Sequence, residues 1–537
     1  MEGLHQLETV VMLLVAVIVL TAIARRLLIP YPILLVLAGL TLSLLPGLPT
    51  IRLDPDLVFL IFLPPILWAA AYLGSLREFL RNLRPILLLA VGLVLITAGA
   101  VAAVAHAAIP GFGWAEALVL GAIVSPPDAV AATAIARQLS IPRRIIAILE
   151  GESLTNDAVA LVLYRVALDA VTSNSFVPGT ALAAFVLAAA AGIAVGIATG
   201  ILTRWILHLT DDRLSEVAMT LVAPYAAWVV ATHASGSPVL ACVAAGFFTQ
   251  HDFRRAAPAA TRLQSRGVWE LLVFVLNGVI FILIGLQLGP LVRAVRDSEL
   301  GPLVEQAALV CATVIIVRLI YVPVAAIVPR GLSTSLRRRD PLPPWSHLFV
   351  VAWTGMRGIV SLAAALALPL AVESGEPFPF RTQIILITFA VILSTLVLQG
   401  LTLVPFIRAL RLGGGDTIRQ QLLIAQEAAA TAALERLDEL AREGWPEPAH
   451  LERLRHAYAE RLARIASLRT DGRDVIDTPD ARALRRLRRA ALAVERRAVF
   501  RLHDEGLIGD DVLREMEREI DVEELRVERD ATGVTSS

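Results

Sequence analysis

One stretch of this chain places charged residues inside an otherwise apolar segment: LEGESLTNDAVALVLYR, residues 149–165. It holds three acids and one arginine, and the segment around it, 143–171, is long enough to cross the ~30 Å hydrocarbon core of a bilayer. A charged side chain near the middle of a span costs about 3 kcal/mol or more. Such a group persists only where it has a function. The stretch therefore predicts a membrane protein with an ionic site between its helices.

The composition agrees with a membrane protein. Of 537 residues, 56% are hydrophobic and only 18% are charged, and the mean hydropathy is +0.69. A soluble enzyme or a nucleic-acid-binding protein of this length would carry about a quarter charged residues. The only cysteines, Cys242 and Cys311, lie in apolar runs and offer neither a disulfide framework nor a zinc site. We expect no cofactor and no nucleic-acid partner.

Apolar runs predict an all-α polytopic fold with about thirteen transmembrane helices. The runs are 7–24, 31–47, 56–74, 85–109, 114–136, 143–171, 180–207, 214–233, 238–251, 268–289, 302–328, 347–371 and 382–407. We therefore divide the chain into a membrane domain, 1–411, and a charged C-terminal helical domain, 412–537. For this tail a regulatory role and a solvated appendage are both open.

Arginines in the loops predict the orientation. They concentrate in alternate loops, for example at Arg25 and Arg26, at Arg143 and Arg144, and in 337–339. By the positive-inside rule these loops are cytoplasmic. With an odd number of spans the N-terminus lies outside and the tail lies in the cytoplasm, in a cell (inner) membrane.

Two spans are interrupted. Pro126-Pro127 in the fifth removes two backbone donors, so carbonyl groups there need other partners, and Asp128 can cap the half-helix that follows. A kink covered by neighbouring helices is the alternative. Gly355 and Gly358 interrupt the twelfth span, which runs in the opposite direction. Such a pair of crossed, broken helices is typical of inverted repeats with a site at the membrane midplane. At 1.5 Å per residue, Asp128 and Asp157 lie roughly 13 and 20 Å from the inner arginines.

Three stretches resemble a known family: SPPDAVAATAIAR (125–137), LEGESLTNDAVALVLYR (149–165) and GMRGIVSL (355–362). Together they resemble the bacterial monovalent cation:proton antiporter-1 family, the NhaP-like Na⁺/H⁺ exchangers. The middle stretch is the most specific of the three. The resemblance covers the whole membrane part and implies a homodimer.

The resemblance also implies a role for individual residues. Asp157 would hold the cation and the proton in turn, and Asn156 marks the electroneutral branch. Ser153, the backbone carbonyl of Pro127 and Asp128 would complete the cation site. Glu152 would form a structural ion pair with Arg357, while Arg318 in the eleventh span receives no partner. Many members carry an acid after Pro-Pro in the third span, where this chain has Ala69, so cation selectivity is open.

We expect electroneutral exchange of one Na⁺ (or Li⁺) for one H⁺ by alternating access, serving pH and Na⁺ homeostasis. A charged Asp157 is costly in the membrane until a hard cation or a proton neutralises it, so the two compete for one carboxylate. A K⁺/H⁺ antiporter with the same mechanism is the alternative. A cation channel fits less well, because channels line a pore with repeated rings. A hydrolase is disfavoured, since no His or Lys base lies in sequence near Ser153.

Overall fold

The structure is a computed structural model of the chain. It describes residues 2–525 except 28–29, 45–54, 56–57, 140, 174–177, 211, 257, 294–296, 373–374, 413–414, 471–478, 506, 508–511, 514–515 and 518. The described residues are helical, with no strand among them beyond one isolated bridge between Ala371 and Pro377. The chain forms two compact units, Met1–Gly413 and Gly414–Ser537.

The first unit contains nineteen α-helices among its described residues. They are α1 (Glu2–Leu27), α2 (Tyr31–Leu44), α3 (Leu63–Leu73), α4 (Leu76–Arg81), α5 (Leu83–Leu87), α6 (Val94–Ala108), α7 (Trp114–Val124), α8 (Ala129–Gln138), α9 (Arg143–Ser173), α10 (Pro178–His208), α11 (Arg213–His233), α12 (Pro238–Ala256), α13 (Ala259–Arg293), α14 (Asp297–Leu332), α15 (Thr334–Arg339), α16 (Trp345–Trp353), α17 (Ile359–Leu366), α18 (Arg381–Ser394) and α19 (Gly400–Ala409). Short π-helical segments, Val58–Phe62, Leu88–Leu93 and Thr395–Gln399, continue into α3, α6 and α19.

Seven helical segments of this unit are long and apolar enough to cross a membrane, and three shorter apolar helices accompany them. The remaining predicted spans coincide with α9, with α12 and with the broken pair α16–α17. Every predicted span therefore has a helical counterpart in the described residues, although the ends of the second and third fall outside them. A multi-pass membrane protein is confirmed. The number of thirteen crossings stays a prediction.

Glycines let the membrane helices approach closely. Gly39 of α2 lies against the backbone of Ile282 and Gly285 on α13, and Gly192 of α10 lies against Ser237 at the start of α12. A methyl group at any of these glycines would overlap the backbone opposite. Small residues are the usual contact between membrane helices, because apolar side chains gain little by leaving lipid for another helix.

Helix α10 is a mostly apolar helix whose side chains are largely exposed on the first unit. Most of its side chains are apolar, yet only 17% of its most apolar stretch of 18 residues is buried inside the unit. Leu187, Ile201 and Trp205 are each more than half exposed. A helix that exposes such side chains along its length is stable in a bilayer and not in water.

The second unit is polar and helical. Its long helices are α20 (Gly415–Glu443), α21 (Pro448–Thr470) and α22 (Pro479–Asp504). Exposed ion pairs such as Arg436–Glu439 and Arg455–Asp438 line their surfaces. Its buried apolar cluster centres on Leu492, Val499 and Ile520. This unit therefore has helices of its own, while its predicted role stays open.

Two helix breaks meet inside the first unit. Residues 125–128 separate α7 from α8, and residues 354–358 separate α16 from α17. The backbone N–H of Asp128 in the first break donates a hydrogen bond of 2.7 Å to the carbonyl oxygen of Met356 in the second. The fifth and twelfth predicted spans are thus both broken, and their breaks are in contact. The inverted repeat inferred from the two breaks stays a prediction.

Candidate functional site

The break between α7 and α8 has a charged side chain at each helix end. An acidic side chain lies at the N-terminus of α8, and a basic one lies at the C-terminus of α7. Asp128 accepts a hydrogen bond of 2.8 Å from the backbone N–H of Val130, in the first turn of α8. Ser153 of α9 lies close by, and its hydroxyl accepts a longer bond of 3.4 Å from the N–H of Ala129. An anionic group at a helix N-terminus offsets the partial positive charge of the unpaired N–H groups. Asp128 therefore caps α8, as the sequence predicted.

Arg357 lies at the opposite side of the break. Its Nε donates 2.9 Å to the carbonyl of Val124, the last residue of α7, and Nη2 lies 3.5 Å from the carbonyl of Ser125. It also donates to the carbonyl of Gly355. A cation at a helix C-terminus satisfies the carbonyls that have no partner within the helix. Arg357 is 1% exposed, and its hydrogen bonds go to backbone oxygens.

Glu152 has a different partner from the one predicted. Its two carboxylate oxygens accept bonds of 2.5 and 2.9 Å from Arg318 of α14, and both side chains are at most 2% exposed. Arg318 also donates to the carbonyl of Val351 on α16, at 3.0 and 3.2 Å. The predicted Glu152–Arg357 pair is therefore wrong. The physical reason is that Arg357 is engaged by the carbonyls at the helix break, which leaves Arg318 to neutralise Glu152.

Asn156 joins α9 to the break. Its Nδ2 donates a hydrogen bond of 2.7 Å to the carbonyl oxygen of Pro127, while its Oδ1 is buried without a hydrogen-bond partner in the part of the chain that the structure describes. The Pro127 carbonyl predicted as a cation ligand thus already accepts one hydrogen bond. Since a carbonyl oxygen has two lone pairs, one remains.

Asp157 is a buried carboxylate without a counter-charge among the described residues. It is 8% exposed, and its carboxylate has no hydrogen bond or ion pair with any described residue. It lines a cavity of about 270 Å³ together with Asp128 and Ser153. An unpaired carboxylate is costly to bury as an anion, so this site favours a neutralising occupant.

The cavity has one polar wall and one apolar wall. The apolar wall is formed largely by α3 and α13, where Ala69 and Ala70 offer only methyl groups. The absence of an acid in the third span, noted in the sequence, therefore affects the cavity itself. The polar side chains that line the cavity are Tyr31, Asp128, Thr133, Glu150, Ser153, Asp157, Asn277 and Ser361.

Sequence reasoning missed several of these cavity residues. Thr133 and Ser361 fall inside the stretches that carry the family resemblance, but neither was assigned a role. Asn277 is a single amide in the apolar run 268–289, and such a residue in a span is the signal that could have found it. Arg165, by contrast, belongs to the charged stretch in sequence, yet it is exposed and does not line the cavity.

The sequence profile of the family described as "Sodium/hydrogen exchanger, transmembrane" matches residues 12–409. The chain belongs to this family. The predicted family resemblance is thereby confirmed.

Individual exchangers resemble the chain over different lengths. An uncharacterized Na(+)/H(+) exchanger of Mycobacterium tuberculosis is 33% identical, over 97% of this chain and 96% of that one. A sodium, potassium, lithium and rubidium/H(+) antiporter of Bacillus pumilus is 30% identical, over 73% of this chain and 60% of that one. The solved sodium proton antiporter MjNhaP1 of Methanocaldococcus jannaschii has the same fold, with a TM-score of 0.57 at 19% identity over 74% of this chain and 100% of that one.

Proposed function

We propose that this exchanger carries one Na⁺ (or Li⁺) in exchange for one H⁺, with both bound in turn by Asp157. Membership of the sodium/hydrogen exchanger family makes cation/proton antiport its activity class. The observation that carries the finer proposal is the carboxylate of Asp157, which faces a cavity beside two helix breaks and has no counter-charge among the described residues.

The neighbouring oxygen atoms suit a small hard cation. Oδ1 of Asp128 accepts the Val130 N–H, so Oδ2 is free of that bond, and among the described residues the hydroxyl of Ser153 makes one long bond. The carbonyl of Pro127 keeps one lone pair. Carboxylate, hydroxyl and carbonyl oxygens are the ligands that hard cations prefer. Asp157, Ser153 and Asp128 would therefore hold the cation, with the Pro127 carbonyl beside them.

Competition for one carboxylate explains coupling. A proton on Asp157 removes the charge that attracts a cation, and a bound cation disfavours the proton. Either occupant lowers the cost of moving the site through an apolar environment, whereas the empty anion stays costly. The site therefore switches from one side of the membrane to the other only when it holds a cation or a proton. This requirement couples the cation flux to the proton flux.

The other buried charges favour electroneutral exchange. Glu152 is neutralised by Arg318, and Asn156, next to Asp157, carries no charge. The charges of Asp128 and Arg357 lie at opposite sides of one helix break. The number of protons moved is then set by the one carboxylate that loads and unloads, giving one H⁺ per cation. We further infer that the paired helices α9 and α14 move as one body during alternating access.

Cation choice is the less constrained part. The family's name favours Na⁺, while the relative from Bacillus pumilus, whose name includes potassium, keeps K⁺/H⁺ exchange as a second candidate. The methyl groups of Ala69 and Ala70 leave the α3 side of the cavity without a ligand, which weakens any strict selection of cations by size. We also propose a transporter without enzymatic activity or cofactor, forming a homodimer in the cell (inner) membrane with its tail in the cytoplasm.

The test uses purified full-length protein in proteoliposomes that contain a pH-sensitive dye. Na⁺, Li⁺ or K⁺ is added in turn, with and without a valinomycin–K⁺ clamp of the membrane potential. We expect a Na⁺-driven pH change that the clamp does not alter. A response to K⁺ alone would change the substrate, and a response that the clamp alters would contradict electroneutrality.

A further inference from the structure

Three arginines surround one carboxylate at an end of the first unit, away from the cavity of Asp157. Asp340, which follows α15, accepts bonds of 2.7 Å from Arg144 of α9 and 2.5 Å from Arg330 of α14. Nη1 of Arg84, on α5, lies 3.8 Å from the same carboxylate. One acid therefore faces three guanidinium groups, and this cluster keeps an excess of positive charge.

The arginines of this cluster differ in how many of their N–H groups donate a hydrogen bond. Arg330 is 7% exposed in its side chain and is held by the carboxylate and backbone carbonyl of Asp340 and by the carbonyl of Ala326. Arg84, in contrast, has its Nη1 buried without a hydrogen-bond partner among the described residues. A buried N–H donor without a partner destabilises the folded protein. The Arg84 side chain as a whole is 33% exposed, and its one polar contact with a described side chain is the 3.8 Å approach to Asp340, so of the three arginines it is the one that can take up a further anion.

An apolar cavity of about 70 Å³ adjoins the same arginines. Leu88, Ile148, Val322 and Leu348 are among its apolar lining residues, and Arg84, Arg144, Arg330 and His347 supply its polar part. These residues come from four helical segments of the membrane unit. A cavity this small holds the start of an acyl chain but not a whole lipid.

We propose that this cluster binds the phosphate headgroup of an anionic phospholipid, with part of one acyl chain in the adjoining cavity. Guanidinium groups bind phosphate through paired N–H donors, and an excess of positive charge attracts an anion. An apolar cavity beside that charge distinguishes a lipid from a free phosphate. The cluster also lies at the end of the bundle that carries the arginine-rich loops, where anionic lipid headgroups are attracted.

The competing interpretation is that the cluster only fastens α5, α9 and α14 together through Asp340. The two interpretations differ at Arg84, because its contact with Asp340, at 3.8 Å, is too long to fasten the helices strongly. Arg84→Gln removes the group proposed to bind phosphate, and Arg81→Gln removes an equal charge from an exposed position three residues away. The second variant is the matched control.

The experiment compares the full-length protein in nanodiscs of phosphatidylcholine alone and of phosphatidylcholine mixed with phosphatidylglycerol. Unfolding temperature is measured in each, and phospholipid retained after detergent extraction is identified by mass spectrometry. We expect phosphatidylglycerol to raise the unfolding temperature and to be retained. Arg84→Gln should weaken this retention about tenfold, and Arg81→Gln should leave it unchanged. Equal retention of phosphatidylglycerol by both variants would overturn the proposal. So would a fall in the unfolding temperature of Arg84→Gln that is the same in both lipid compositions.

Asp340→Asn gives an independent second test. It releases Arg144 and Arg330 from their carboxylate, so phosphatidylglycerol should bind more tightly and recover stability that is lost in phosphatidylcholine. A loss of stability that phosphatidylglycerol does not reduce would support the fastening interpretation and contradict ours. Glycerol phosphate in solution, which lacks acyl chains, should not replace the lipid. Stabilisation by glycerol phosphate equal to that by the lipid would also overturn lipid binding.

Discussion

Two buried carboxylates on helix α9 differ in their surroundings although they are only five residues apart. Glu152 is 1% exposed, and both oxygens of its carboxylate accept hydrogen bonds from Arg318. Asp157 is 8% exposed, faces the cavity and has no counter-charge among the described residues. Burial alone therefore does not mark the transport residue. A fixed partner makes a buried acid structural, and an open cavity in place of a partner makes it available to an exchangeable cation.

The largest effect should follow from removing the unpaired carboxylate. Asp157→Asn keeps the size of the side chain but can neither release a proton nor attract a cation, so cation-driven proton movement should fall to background. The measurement is the dye assay in proteoliposomes, with folding checked by size-exclusion chromatography. Asp169→Asn, farther along the same helix and outside the cavity, is the control and should keep exchange. Retained exchange in Asp157→Asn would remove this residue from the mechanism.

Breaking the paired carboxylate should instead destabilise the fold. Arg318→Gln leaves Glu152 charged and buried, which costs about 3–5 kcal/mol. We expect a clear fall in the unfolding temperature of the purified protein. The double variant Glu152→Gln with Arg318→Gln removes both charges and should recover part of the loss. If the single variant unfolded at the wild-type temperature, the pair would not have the structural role assigned to it.

A smaller effect should follow from disturbing the contact between the two breaks. A methyl group on Gly358 would overlap the carboxylate of Asp128, which must then move from its position at α8. Gly358→Ala should reduce exchange about tenfold, because displacing a site group by a fraction of an ångström is expensive. Gly99→Ala, where a methyl group meets nothing within 4 Å, is the matched control. Equal exchange rates in the two variants would show that Asp128 is not a site group.

The smallest effect should come from removing one neutral ligand. Ser153→Ala removes a hydroxyl next to Asp157 and should raise the KM for Na⁺ about three- to tenfold, with kcat little changed. Thr155→Ala, on the same helix, removes a hydroxyl that donates to the carbonyl of Gly151 within that helix. The control should not alter the KM. An unchanged KM in both variants would exclude Ser153 as a ligand.

Much of the membrane architecture could be predicted from the sequence. The length of each apolar run limits where a helix can cross, and Pro126-Pro127 and Gly355/Gly358 disrupt helices wherever they occur. The capping of α8 by Asp128 could be predicted for the same reason, because a short acidic side chain directly after a helix break is well placed to cap the helix that follows. These are properties of neighbouring residues.

The partner of Glu152 could not be predicted in this way. Arg318 and Arg357 are both single arginines inside apolar spans, and the sequence gives no distance from either to α9. The choice depends on the free carbonyls at the end of α7, which attract Arg357 and are visible only once the helices are packed. The apolar wall of the cavity, with Asn277 on α13, depends on packing in the same way.

The competition between Na⁺ and H⁺ for Asp157 can be measured directly by calorimetric titration of the purified protein with Na⁺. Two buffers that differ in their enthalpy of protonation report how many protons leave when the cation binds. The account predicts about one proton released per Na⁺ bound, as for any ligand that must lose its proton to bind a metal ion, and no Na⁺ binding by Asp157→Asn. Na⁺ binding without proton release, at an affinity that Asp157→Asn shares, would contradict it.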